Sequence, residues 1–171
     1  MNLNDIFNSF YDKLYSFTLK RVGNVHDAED IVSDVFVKVA EKLDTYNPNK
    51  AAFSTWIFTI ALNEIKLYYR GRKNVYSLDN DCEIANQFVI DEALLHSDER
   101  ICLSHAFGEI DDRQREIIYL KYFGDLPNRR IAEIMDLSET NVETILYRAK
   151  RNMKKVFLSC EESGSCVYKK M

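Results

Sequence analysis

A chain of 171 residues is long enough for one ordinary domain or for two small ones. Hydrophobic residues make up 46% of it and charged residues 29%, a balance that excludes a wholly disordered chain. Taken alone, the net charge of −4 argues against nucleic-acid binding. The negative charge, however, is concentrated in the middle of the chain: residues 74–112 carry −9, whereas residues 1–73 carry +1 and residues 113–171 carry +4. Both ends of the chain therefore remain candidates for contacts with DNA.

Three amphipathic helices are predicted in the first part of the chain. In each, apolar residues recur at three- and four-residue steps, the period of one helix face. Gly23 favours a helix end, and Asn24 is a good N-cap for the next helix. Pro48 interrupts the pattern again, because the residue before a proline avoids the helical conformation. The predicted helices span about 3–22, 26–43 and 54–72.

The helical pattern returns after an acidic stretch. Four further helices are expected at about 92–109, 113–123, 127–135 and 139–157, and no stretch alternates as a β-strand does. The predicted fold class is all-α, with two small helical domains joined by a flexible linker. The predicted parts are the domains 1–75 and 92–157, the acidic linker 76–91 and a C-terminal tail 158–171.

Composition excludes membrane and metal-binding classes. No segment approaches the roughly 20 apolar residues that span a bilayer. The N-terminus lacks the pattern of a secretory signal, so a cytoplasmic protein without membrane insertion is expected. The four cysteines form no Cys-x-x-Cys pair and have no histidine at zinc-ligand spacing, which predicts reduced thiols and no metal. A redox pair of Cys160 and Cys166 is the alternative, in a tail expected to be frayed.

An enzyme is the least favoured class of protein. His26, His96 and His105 have no serine or cysteine placed by sequence as a nucleophile beside its base. No glycine-rich phosphate loop is present either. The sequence therefore predicts neither catalytic residues nor a cofactor.

A helix-turn-helix pattern lies near the C-terminus. A short helix from Pro127 to Met135, a turn, and a longer helix from Glu139 follow one another, and Ser138 is placed as an N-cap. Packing of these helices on each other leaves one polar, basic face that suits the DNA major groove. The alternative is a solvated face on a packing helix. The predicted contact residues of this basic face are Asn141, Thr144, Ile145, Arg148, Arg151 and Lys155.

The third predicted helix has an aromatic–cationic face. This face carries an aromatic ring, an amide and several cations at three- and four-residue spacing. In a protein that binds single-stranded nucleic acid, the ring stacks on a base, the amide bonds to base edges and the cations contact the backbone phosphates. The alternative places Trp56 in the core and leaves the cations at a solvated helix end. The face comprises Trp56, Thr59, Asn63, Lys66, Arg70 and Lys73, extended by Tyr68, Tyr69 and Arg72.

These segments resemble the sigma factors of bacterial RNA polymerase, in particular the extracytoplasmic-function (ECF) group, which has only regions two and four. The run Asp27-Ala-Glu-Asp-Ile-Val-Ser-Asp-Val-Phe36, with Phe53-Ser-Thr-Trp-Ile-Phe-Thr-Ile-Ala-Leu-Asn63 and Tyr68-Tyr-Arg70, is similar to region two. The segment from Ile110 to Lys155 is similar to region four. Together they cover most of residues 5–155, in the order and spacing of the family.

The resemblance implies polymerase contacts for two parts of the chain. The helix face with Asp30, Ser33 and Asp34 is expected to dock on the clamp helices of the polymerase largest subunit; Ser33 stands where the family often has Gln. Region four is expected to touch the polymerase flap and to bind the minus-thirty-five element as duplex. Glu143 and Ile145 stand where the family commonly has Lys and Arg, and a carboxylate near phosphates predicts weak or unusual minus-thirty-five binding.

The resemblance also implies how region two opens a promoter. The loop from Tyr46 to Phe53 corresponds to the part of the family that captures a base flipped out of the nontemplate strand of the minus-ten element. Unstacking a base is unfavourable, so the pocket must offset that loss. Leu62 replaces a frequent Arg. The residues expected at the minus-ten element are Tyr46, Phe53, Trp56, Asn63, Lys66, Tyr69, Arg70, Arg72 and Lys73.

The sequence therefore predicts a sigma factor that binds RNA polymerase core and promoter DNA, melts the promoter and directs initiation by binding energy rather than catalysis. Its domains are expected on polymerase surfaces tens of ångströms apart, and the resemblance allows an anti-sigma factor as a further partner. One alternative is a helix-turn-helix regulator that binds duplex DNA but never joins the polymerase core. A second is a helical adaptor that has lost useful DNA affinity.

Overall fold

The computed structural model describes residues 2–76 and 97–163, which form seven α-helices, one short 3₁₀ turn and no strand. Within these ranges, side chains are described for residues 2–72 and 99–161. The predicted linker beyond residue 76 and the predicted tail beyond residue 163 lie outside the described residues, as does His96. The helices are α1 (Leu3–Val22), α2 (Val25–Lys42), α3 (Phe53–Tyr76), α4 (Ser97–Gly108), α5 (Asp112–Tyr122), α6 (Asn128–Met135) and α7 (Glu139–Ser163), with the 3₁₀ turn Leu43–Thr45 after α2.

Three capping signals predicted from the sequence are confirmed. Gly23 ends α1 in the left-handed conformation, with a φ of 72° that few residues other than glycine adopt readily. The Asn24 side chain accepts a hydrogen bond from the backbone N–H of Asp27 at the start of α2, at 3.1 Å. The Ser138 hydroxyl accepts one from the backbone N–H of Asn141 at the start of α7, at 3.2 Å. Local side-chain chemistry therefore sets these helix boundaries.

The helix α7 extends further than predicted. The sequence placed its end near residue 157, whereas the helix continues to Ser163. Its buried face begins at Val142 and continues beyond the partly buried Met153 to Cys160, at positions that share one side of a helix. The first residues of the predicted tail are thus a helix that packs on α4.

Cys160 forms a disulfide with Cys102 of α4, and the two Cα atoms are 5.6 Å apart. The expectation of reduced thiols is therefore wrong for this pair. The continuation of α7 explains the difference, because it brings a cysteine of the supposed tail onto the helix face that covers α4. The alternative partner of Cys160, Cys166, lies outside the described residues, as does Cys82.

The helices α1–α3 form a front module and α4–α7 a rear module. In the front module α2 packs on both α1 and α3, and in the rear module α7 packs on α4, α5 and α6. The largest side chains that are fully buried are Phe17, Phe58, Phe107, Ile6, Leu14, Ile57, Ile65, Ile117, Leu120 and Ile131.

The two modules pack against each other in this structure, whereas separate positions on the polymerase were expected from the sequence; the division into domains 1–75 and 92–157 stays a prediction. Helix α3 contacts α6, α1 contacts α5, and the buried apolar side chains of both modules form one continuous cluster. Gly124, after α5, allows a close approach: a Cβ atom there would lie 2.8 Å from a ring carbon of Phe58 in α3. Helical periodicity identifies an apolar face but does not identify the element that covers it.

Candidate nucleic-acid interface

The aromatic–cationic face lies on one side of the uninterrupted helix α3. Thr59, Asn63, Lys66 and Arg70 are all exposed, as the sequence period predicts. The side chain of Lys73 lies outside the described residues. The exposed face therefore combines a hydroxyl, an amide and two cations along about three helical turns.

Trp56 lies at the start of this face, in an aromatic cluster with Tyr46 and Phe53. The ring centroid of Trp56 is 5.3 Å from each of the other two, and those of Tyr46 and Phe53 are 5.1 Å apart. Phe10 of α1 supports the cluster, 5.5 Å from Phe53, a contact that the sequence does not suggest. Trp56 is partly buried, so one ring both packs on its neighbours and contributes to the surface.

The loop between α2 and α3 is folded against the aromatic cluster. The Tyr46 hydroxyl donates a hydrogen bond to the carbonyl of Ala51 at 3.0 Å. The Asn47 side-chain oxygen accepts one from the backbone N–H of Asn49 at 2.9 Å, and its carbonyl accepts one from the N–H of Lys50 at 3.0 Å. Asn47 and Pro48 thus form a side-chain-stabilised turn, as these residue types favour. The loop is thereby held beside the aromatic rings.

Two residues predicted at the minus-ten element make contacts within the protein. The Tyr69 hydroxyl donates to the Arg21 carbonyl, and burial raises the pKa of Tyr69. Arg72 lies 3.4 Å from the Asp27 carboxylate and also contacts the Tyr68 hydroxyl. Burial, together with the hydrogen bond to Asp27, raises the pKa of Tyr68 to about 12. These side chains attach the end of α3 to α1 and α2.

The basic face of α7 is exposed along the first two thirds of the helix. Asn141, Thr144, Arg148, Arg151 and Lys155 are exposed, and Ile145 is partly buried. On the opposite side Val142, Leu146 and Ala149 are buried, as are Ile131 and Ala132 of α6. The predicted helix-turn-helix packing is therefore confirmed, and the helix presents its polar residues outwards.

A third polar surface lies on α2. Asp30, Ser33 and Asp34 are exposed on one face, but the Ser33 hydroxyl donates to the Glu29 carbonyl at 2.8 Å. Val37 continues this face and is 56% exposed. Val37 was not among the predicted contact residues, although an apolar residue on the polar side of a helix is a signal of a contact surface.

Polar contacts between the modules had no signal in the sequence. Hydrogen bonds from Thr55 and Lys13 lower the pKa values of Glu133 and Asp125, so both carboxylates favour the charged state. The guanidinium of Arg21 also lies 5.2 Å from the ring centroid of Tyr119. The contacts pair Lys13 with Asp125 at 2.8 Å, Arg21 with Glu116, and Thr55 with Glu133 at 2.7 Å.

The described helices include none that is long and apolar enough to cross a membrane. Between residues 2–76 and 97–163, no three His, Cys, Asp or Glu side chains are grouped to hold a metal ion.

An all-α chain with an exposed recognition helix defines a helix-turn-helix DNA-binding protein. The family described as "Sigma-70 region 2" matches residues 6–75, and that described as "Sigma-70, region 4" matches residues 100–153. The chain belongs to the sigma-70 family and is an RNA polymerase sigma factor of the ECF group. A regulator outside the polymerase is not favoured, because region two accompanies the helix-turn-helix.

Relatives of the same organisation support this assignment. The ECF sigma factor SigW of Bacillus subtilis is 27% identical over 162 residues, covering 88% of this chain and 86% of that protein. The ECF sigma factor SigM of the same organism is 24% identical over 159 residues, covering 92% and 96%. The chain therefore matches relatives over nearly their whole length.

The fold is shared with a sigma factor of known structure. The sigma factor RpoE from Bartonella quintana, crystallised in complex with the anti-sigma factor NepR, superposes with a TM-score of 0.70. The match has 21% sequence identity and covers 90% of this chain and 94% of the other. The sigma factor CnrH, solved in complex with the cytosolic domain of CnrY, gives a TM-score of 0.63 at 20% identity and covers 92% of this chain and 88% of that one.

Proposed function

We propose that this sigma factor directs initiation through two DNA-binding surfaces on one chain, the exposed aromatic–cationic face of α3 and the exposed basic face of α7. The observation that carries the proposal is that both faces are exposed while the opposite sides of the same helices are buried. The factor acts by binding, without catalysing a reaction, in the cytoplasm beside the polymerase.

The polymerase core is held by the exposed face of α2. Asp30 and Asp34 flank Ser33, and Val37 extends the same face as an exposed apolar residue. Such a face suits a helical partner with basic residues around an apolar strip, which corresponds to the clamp helices that the family binds. The Ser33 hydroxyl bonds to its own helix, so the two carboxylates supply most of the polarity.

The minus-ten element is opened by capture of unpaired bases. The aromatic cluster and the folded loop beside it offer a stacking surface on the same face of α3 as the Asn63 amide and the Lys66 ammonium. Stacking on a protein ring is worth about 1–3 kcal/mol per base, similar to the few kcal/mol lost when a base leaves the duplex. Binding to the flipped state therefore shifts the promoter from closed to open.

The minus-thirty-five element is bound as duplex by the basic face of α7. Asn141 and Thr144 lie in the first turns, where a recognition helix meets base edges, and Arg148, Arg151 and Lys155 follow along the helix. The Thr144 hydroxyl donates to the Thr140 carbonyl.

Use of both elements requires the modules to separate. The two promoter elements are named for positions about 25 base pairs apart, which at about 3.4 Å per base pair is on the order of 80 Å. A compact chain of this length has a radius of gyration of only about 16 Å. The contact of Thr55 in α3 with Glu133 in α6 belongs to the packed state, and we propose that polymerase core opens it.

An anti-sigma factor is proposed as a further partner. The support comes from two proteins of the same fold, RpoE and CnrH, whose structures were determined with NepR and with the cytosolic domain of CnrY. A partner of this kind would favour the packed state of the two modules over the separated one.

The proposal is tested by adding the purified chain to polymerase core on fragmented genomic DNA and sequencing the transcript 5′ ends. Discrete 5′ ends with shared upstream sequences, absent with core alone, are the expected result. A duplex-binding regulator would bind DNA without producing such ends. A helical adaptor without useful DNA affinity would bind fork-junction DNA with almost no dependence on salt. Either outcome would contradict the proposal.

A further inference from the structure

A buried disulfide in the rear module joins Cys102, inside the segment that matches region four, to Cys160, which lies beyond it. Cys102 and Cys160 are only 5% and 6% exposed, and they join α4 to the C-terminal part of α7. The match to region four ends at residue 153, whereas α7 continues to Ser163. The covalent bond is therefore formed by an extension of the recognition helix.

The disulfide fixes the same helix that carries the basic face. The buried side of α7 begins with Val142 and Leu146, opposite the basic face, and ends with Cys160. The two cysteines are 58 positions apart in the chain, and the segment between them includes α5, α6 and the whole basic face. Closing a loop of this length restricts the unfolded ensemble and thereby favours the folded rear module.

We propose that Cys102 and Cys160 form a reversible thiol–disulfide site that makes the stability of the rear module depend on redox conditions. The inference rests on the proposed function, because a factor that works beside RNA polymerase meets the reducing thiols of the cell. Disulfides in that compartment are mostly transient and redox-sensing. Oxidation therefore links α7 covalently to α4, and reduction breaks this link.

The reaction is an exchange with a low-molecular-weight disulfide such as oxidised glutathione. One cysteine thiolate attacks the small disulfide, forms a mixed disulfide and releases one small thiol; the other cysteine then displaces the second. The two cysteines lose two electrons and two protons, and the small disulfide takes up both to become two thiols. Because both sulfur atoms are buried, exchange requires the last turns of α7 to open locally.

The test uses the full chain with Cys82→Ser and Cys166→Ser, so that only one pair can form. This protein is equilibrated at a series of ratios of oxidised to reduced glutathione. Its free thiols are counted by alkylation and mass spectrometry, and its thermal unfolding is followed at each ratio. The matched control carries Cys102→Ser and Cys160→Ser in addition, so that it has no cysteine to oxidise.

The expected result is a Cys102–Cys160 peptide that appears with oxidation, together with a melting temperature that rises by on the order of 10 °C. The control should melt at one temperature at every ratio. The proposal is overturned if the disulfide never forms or if the oxidised and reduced proteins have the same melting temperature. It is also overturned if the melting temperature of the control shifts by the same amount. Comparison of the two redox forms of one protein keeps the test valid even if the control is destabilised.

A second readout separates this inference from the proposed function. At a temperature between the two transitions, the oxidised protein should still bind a short fluorescent DNA duplex, and the reduced protein should not. If the melting temperatures differ but neither form binds the duplex at any temperature, the redox-dependent stability is supported and the proposed duplex binding is contradicted.

Discussion

Asn63 is the residue whose role in base capture can be tested most cleanly. It is exposed in the middle of α3, whereas Trp56 also packs on Tyr46 and Phe53. Replacing Trp56 would disturb the aromatic cluster. A loss of DNA binding could then result from lost base recognition or from lost stability of the fold. The Asn63 amide can be removed without opening a cavity in the core.

Asn63→Ala is expected to weaken binding to fork-junction DNA with an unpaired minus-ten strand by about 1–3 kcal/mol. Binding to fully paired duplex should change little, because the amide meets a base edge only after flipping. Fluorescence anisotropy on the two DNA forms measures the difference. Asn8→Ala, an exposed asparagine on α1, is the matched control and should leave both affinities unchanged. Equal losses on both DNA forms would contradict base capture.

Side-chain directions on α3 were predictable only in part. Spacing of three and four residues correctly placed Asn63, Lys66 and Arg70 on one exposed face. The same spacing could not show that Tyr69 and Arg72 turn towards α1 and α2, because those contacts depend on how the three helices pack. Whether the exposed residues meet DNA stays a prediction.

At the scale of elements, α2 presents the surface proposed for polymerase core. Asp30→Arg with Asp34→Arg is expected to lower affinity for core by at least about 100-fold, or roughly 3 kcal/mol, because two attractive charges become repulsive. Titration of labelled protein with core measures the affinity. Both carboxylates are exposed, so the helix content should be retained, as circular dichroism would show.

A charge-matched control distinguishes docking from a general effect of charge. Asp12→Arg with Glu109→Arg changes the net charge by the same amount at exposed positions on α1 and after α4. This variant should bind core as the unmodified protein does. If both double variants lose the same affinity, or if neither does, α2 is not the docking surface.

Most helices were predictable, but two C-terminal ends were not: α3 continues to Tyr76 rather than to about residue 72, and α7 continues to Ser163. Caps such as Gly23, Asn24 and Ser138 mark their boundaries through local chemistry that is visible in the sequence. The extension of α7 to Ser163 has no such signal, because its stability derives from packing on α4. Cys160 could have been recognised as the next residue on the buried side of α7, had the helix been continued past residue 157.

For the whole molecule, the arrangement of the modules was the least predictable feature. The contact between the modules depends on individual side chains that fit each other. Gly124 leaves room for the Phe58 ring, and Arg21 contacts both Glu116 and Tyr119. No sequence pattern pairs these residues with one another. The packed state is moreover one of two states that the proposed function requires, because the promoter elements lie farther apart than a packed chain extends.

The distance between the two modules in the presence of polymerase core tests this account most directly. Fluorophores at Asn8→Cys on α1 and Lys154→Cys on α7, in a chain whose four native cysteines are replaced by serine, report it by single-molecule energy transfer. We expect a short distance in the free protein and an increase of several tens of ångströms when core and promoter DNA are added. A distance that remains short while specific initiation proceeds would contradict the account.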